Sequence, residues 1–91
     1  MSCAKLTFKD IVEPHWRRII QKASGEFGIS ISSNSGEESK SGFTIKWGYD
    51  VATQILEIQC LDKPFVPCAL VNSRIEKLVN ECRPPAVVSS R

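Results

Sequence analysis

Phe43-Thr44-Ile45-Lys46-Trp47-Gly48-Tyr49 and, four residues on, Gln54-Ile55-Leu56-Glu57-Ile58-Gln59-Cys60-Leu61 decide the fold. Both stretches alternate apolar and polar residues, the period of a strand with one buried face. Phe43, Ile45, Trp47 and Tyr49 share one side of the first. Leu56, Ile58 and Cys60 share one side of the second, with Glu57 and Gln59 opposite. Asp50-Val51-Ala52-Thr53 between them reads as a tight turn, because Asp favours turn entry. Two strands joined this closely pair antiparallel.

Upstream, Phe27-Gly28-Ile29-Ser30-Ile31-Ser32 alternates in the same way and is predicted as a third strand with Phe27, Ile29 and Ile31 inward. Residues 33–42 hold no apolar side chain and are rich in Ser and Gly. They predict a long mobile hairpin loop.

The flanks read as helices. From Asp10 to Ala23, Val12, Trp16, Ile19, Ile20 and Ala23 fall on one helical face, with Arg17, Arg18, Gln21 and Lys22 largely on the other. Pro14 suits a first turn, and Gly25 suits a left-handed cap. Near the carboxyl end, Ser73-Arg74-Ile75-Glu76 has capping-box spacing. It precedes Ile75, Leu78, Val79 and Cys82, a stripe that Val71 extends, so the second helix is placed from Asn72 or Ser73 to Cys82. Pro64 and Pro67 exclude regular structure between the last strand and this helix. Arg83-Pro84-Pro85 ends it, and residues 84–91 read as a flexible tail.

The order is α-β-β-β-α. The expected fold class is α+β: a three-stranded antiparallel meander with two helices packed on one face. Ninety-one residues make one small domain, with an ordered core over about residues 8–83. A hydrophobic fraction of 42% and a charged fraction of 24% exclude wholesale disorder. The net charge of +2 is too small to indicate nucleic acid. No apolar run follows the amino terminus, and none approaches the roughly 20 residues of a membrane span. The expected setting is cytoplasmic, without membrane association. There Cys3, Cys60, Cys68 and Cys82, which form no CxxC pair, are expected as free thiols.

Chemistry-bearing residues are few. His15 is the only histidine and the one candidate general base. Cys68 sits in a loop leading into a helix amino terminus, where a dipole can lower a thiol pKa, and is the candidate nucleophile. Cys60 and Cys82 follow the apolar stripes and read as core. Trp47, Tyr49 and Phe65 are candidates to line a ligand pocket. Arg17, Arg18 and Lys22 form a basic helix face that Lys46 could extend only if the fold brings it near; a solvated face is the plainer reading. Asp50, Glu57 and Asp62 sit in separate elements. No ligand spacing supports a metal, no phosphate-cradling loop is present, and no cofactor is implied.

The first functional expectation is therefore a non-enzymatic protein-interaction domain that contacts a partner or a second copy through a sheet face or edge. The alternative is a small-molecule binder with an apolar pocket between sheet and helices. A third reading is a thiol enzyme built on Cys68 and His15.

Overall fold

The computed structural model describes residues 2–82. The chain is α+β, with β1 (Leu6–Phe8), α1 (Glu13–Phe27), β2 (Ser35–Lys40), β3 (Phe43–Asp50), β4 (Ile55–Asp62) and α2 (Cys68–Cys82). The sheet is antiparallel throughout but has four strands rather than three, in the order β1-β4-β3-β2.

The β3–β4 pair is as expected. Trp47 faces Ile58 and Tyr49 faces Leu56 across the ladder, all four buried. Asp50 shapes the turn: its carboxylate accepts the Ala52 N–H (2.9 Å) and its carbonyl the Gln54 N–H (2.8 Å).

The third strand lies elsewhere than predicted. Phe27 is the last residue of α1, and Gly28, at φ 68°, is its left-handed cap. Gly28 N–H donates to the Ser24 carbonyl (3.2 Å) and Ile29 N–H to the Ala23 carbonyl (3.3 Å), which together close the helix end. Gly25, the expected cap, lies inside the helix instead. Ile29 is buried and Ile31 half-buried, but they face inward from a loop, not a strand.

The predicted mobile loop at 33–42 is instead mostly β2. Lys40 pairs with Phe43 across Ser41 and Gly42, at φ 54° and 87°. Positive φ at both central residues is the turn that fits a twisted two-stranded ribbon. Gly36 faces Trp47 in the ladder, and a Cβ there would stand 2.9 Å from the indole Cζ2. Only glycine lets the ring lie flat across the edge strand.

The added strand β1 pairs with the far edge of β4, Leu6 opposite Ile58 and Phe8 opposite Leu56. Three residues are too short for periodicity to declare. The segment after it is pinned: Ile11 N–H donates to the Gln54 carbonyl (2.9 Å), and the Ile11 carbonyl accepts the Tyr49 hydroxyl.

Helix α2 begins at Cys68, five residues before the predicted cap. The Pro67 carbonyl accepts the Leu70 and Val71 N–H groups and closes the first turn. Ser73 is an exposed interior residue, not an N-cap. The stripe Val71, Ile75, Leu78, Val79 and Cys82 is buried as expected. The predicted tail and its Pro84-Pro85 stop lie outside the described residues.

Both helices cover one face of the sheet. Trp16, Ile19 and Ala23 of α1 and the α2 stripe join the inward residues of β1, β3 and β4 in one core. The outer face carries Thr7, Lys46, Glu57 and Gln59, which the register sets opposite to that core.

Four free thiols were expected, but Cys3 and Cys68 form a disulfide, with Cα atoms 5.4 Å apart. The amino-terminal arm explains it. Cys3 N–H donates to the Cys60 carbonyl (2.8 Å), and Gln59 Nε2 donates to the Cys3 carbonyl (2.8 Å). The arm thus runs along β4 to the start of α2, joining cysteines 65 residues apart in sequence. Cys60 and Cys82 are free and buried.

Candidate functional site: an apolar cavity between sheet and helices

Packing is not uniform across the core. A cavity of about 380 Å³ lies between the sheet and the two helices. Its sheet wall is Phe43, Ile45, Trp47 and Ile58. Its helix walls are Trp16, Ile19, Ala23 and Phe27 of α1, with Leu70, Val71, Ile75 and Leu78 of α2. Ile29 and Ile31 close it from the loop after α1, and Val66 from the loop before α2. Glu26, Lys40 and Arg74 are the charged side chains lining it, and all three are exposed at the rim.

Among the described residues, the interior offers no free polar handle. Trp16 Nε1 donates to Asn34 Oδ1 (2.9 Å), and Trp47 Nε1 donates to the Ser33 carbonyl (3.0 Å). Both indoles thus bind the loop that leads into β2, as buried indoles require. Their apolar faces remain toward the cavity.

At the rim, Arg74 lies with Cζ 5.6 Å from the Phe27 ring centroid, a cation–π distance. The Lys40 stem crosses Gly28, its Cε 3.1 Å from where a Cβ would stand. Glu26 is held by Lys22 (3.2 Å), which also reaches Glu81 of α2 (2.6 Å). The hydrogen bonds that Lys22 donates to Glu81 and Glu26 hold its pKa up, and the first of these bonds holds that of Glu81 down. Among the described residues, Lys40 and Arg74 make no ion pair.

Of the residues singled out from sequence, Trp47 lines the cavity. Tyr49 lies just outside it, stacked on Trp16 at 5.2 Å between ring centroids. Burial raises its phenol pKa. Phe65 is 106% exposed and does not line the cavity. Cys68 is covalently bound to Cys3, so it carries no thiolate in this structure. His15 is half-buried near the start of α1, its Nδ1 without a partner, and no hydrogen bond joins it to Cys68. Burial raises the thiol pKa of both Cys60 and Cys82, which makes them poor nucleophiles.

Arg17 pairs with Glu13 (3.4 Å), while Lys46 stands on the outer sheet face, so the basic residues form no single patch. Among the described residues no three His, Cys, Asp or Glu side chains converge to hold a metal ion. No described helix is long and apolar enough to cross a membrane.

Sequence reasoning missed Trp16 as a wall and Lys40 and Arg74 as a rim. Trp16 carried a signal in the α1 stripe; Lys40 carried none, since it fell in a presumed loop. No protein family, curated protein or solved structure matches the chain.

Proposed function

We propose that the domain binds a small apolar molecule in the cavity between its sheet and helices. The observation that carries this is the cavity itself. At about 380 Å³ it falls in the range of ligand sites, and its interior is lined by apolar and aromatic side chains in a chain this short. A small domain gains stability by filling its core, so an interior left open at one end marks a place where something else completes the packing.

Both tryptophans of the chain line the site, so intrinsic fluorescence reports on it. Titration with 1-naphthylamine, a neutral apolar fluorophore small enough for the cavity, should give saturable binding with energy transfer from Trp16 and Trp47. Ile45→Phe, which enlarges a half-buried wall residue, should weaken it. Emission that rises without saturation would remove the reading.

A second reading, contact with a protein partner or a second copy, is favoured by one observation. Phe65 is fully exposed and Leu70 is 51% exposed on the corner between β4 and α2. The edge strand β2 favours it less, because Glu37, Glu38 and Lys40 blunt strand addition. Light scattering over a range of concentrations tests it: a monomer throughout excludes self-association. As for setting, a cytoplasmic pool would reduce Cys3–Cys68, so that bond supports an oxidising compartment.

A further inference from the structure

We infer that the ligand is a medium-chain amphiphile with a carboxylate headgroup, its chain in the cavity and its headgroup between Lys40 and Arg74. This rests on the cavity being a binding site and adds the class of molecule. Size is the first argument. At roughly 30 Å³ for each non-hydrogen atom, the share of a water in the liquid, about 380 Å³ holds about a dozen such atoms. Decanoate has that size.

Polarity is the second. The two indole N–H groups inside are already bonded to Asn34 and Ser33. A ligand group needing a hydrogen bond in the interior would be left unsatisfied, which disfavours polar bodies and favours hydrocarbon.

Charge is the third. Phe27 and Gly28 are consecutive, and they place Arg74 and the Lys40 stem at one rim, the carboxyl end of α1. Of the nearby acids, Glu26 is held by Lys22, and Glu38, on the inner face of β2, is not among the lining residues. At the rim neither Lys40 nor Arg74 makes an ion pair among the described residues, while Glu26, the acid lining it, is paired with Lys22.

A plainer role for these cations exists. The last turn of α1 has no basic residue, and Lys40 and Arg74 could simply offset the negative end of its dipole. That role predicts an effect on stability and none on which headgroup binds.

The test compares decanoate, decanol and decyltrimethylammonium on the whole chain at neutral pH, below the micelle concentrations of the two ions and the solubility limit of decanol, by tryptophan fluorescence and calorimetry. Decanoate should bind roughly tenfold more tightly than decanol, the scale of hydrogen bonds to charged groups reduced by solvent exposure. The ammonium should bind most weakly. Lys40→Gln and Arg74→Gln should each narrow the decanoate-to-decanol ratio, and the double variant should bring it near one. Lys46→Gln, on the outer sheet face, should leave the ratio alone. Circular dichroism confirms that each variant is folded.

Decanol binding as tightly as decanoate would overturn the headgroup assignment while leaving the apolar site intact. A preference that survives in the folded double variant would overturn the assignment to Lys40 and Arg74. Failure of all three probes to bind would overturn both this inference and the function beneath it.

Discussion

The two ends of β3 lie on the same sheet and face the same helices, yet they pack differently. At the Tyr49 end, Trp16 stacks on the phenol, Ile11 and Leu56 are wholly buried, and the hydroxyl is bonded to the Ile11 carbonyl. At the Phe43 end, Phe43 and Ile45 are only half-buried and look into the cavity. The difference comes from what flanks each end. The filled end is backed by β1 and by the segment after it, whose Ile11 is bonded to Gln54 and to Tyr49. The open end is backed by a loop and by an edge strand whose inward residues are Gly36, Glu38 and Lys40. Glycine and two charged residues cannot fill a core. One end of this core is filled, and the other is left open, where we propose that a ligand binds.

The largest expected effect comes from removing the Cys3–Cys68 tie, which meets β4 at Cys60, level with Ile45 and so outside the filled end. In the chain-entropy account, a bridge closing a loop of 65 residues contributes about 4 kcal/mol. Cys3→Ser with Cys68→Ser should lower the urea midpoint accordingly. A change below about 1 kcal/mol would mean that the arm is held by its backbone hydrogen bonds alone.

A matched pair of truncations sharpens the comparison. Leu56→Ala at the filled end should cost about 3 kcal/mol, and Ile45→Ala at the open end about 1 kcal/mol. Equal losses in urea unfolding would mean that the two ends are equally packed.

Alkali offers a smaller test. Tyr49, Cys60 and Cys82 are buried in the core and do not line the cavity, and burial raises the pKa of each. A raised folded-state pKa means stability that is complete below the unfolded value and lost as pH rises through the folded one. The loss should begin near about pH 8.5 for the thiols and near about 10 for the phenol. Urea midpoints should fall across that window and fall less in Cys60→Ala. A flat profile between about pH 7 and 11 would contradict the burial of these groups.

Where the pattern had one buried face and enough length, the fold could be read from the chain. The β3 and β4 alternation and the α1 and α2 stripes supply most of the core. β2 was illegible because Ser35–Lys40 has no apolar residue on either face; pairing to β3 and the Ser41-Gly42 turn make it a strand. Phe27, Ile29 and Ile31 kept their inward sense but not their element, since a helix end followed by a loop can bury alternate residues as a strand does. Ser73 and Glu76 have the spacing of a capping box, but Pro67 starts the helix a turn and more earlier. Within the site Trp47 was legible. The rim was not, because Lys40 and Arg74 meet only through the end of α1, a tertiary juxtaposition that no local pattern records.

The Cys3–Cys68 bond also divides the chain topologically. All four strands and α1 lie within one covalent ring, while α2 starts at the closure and hangs outside it. A single backbone cut in the ring leaves one molecule that separates only after reduction. A cut within α2 releases the piece beyond it at once. On a non-reducing gel, the ring and its pendant helix can thus be told apart without any label.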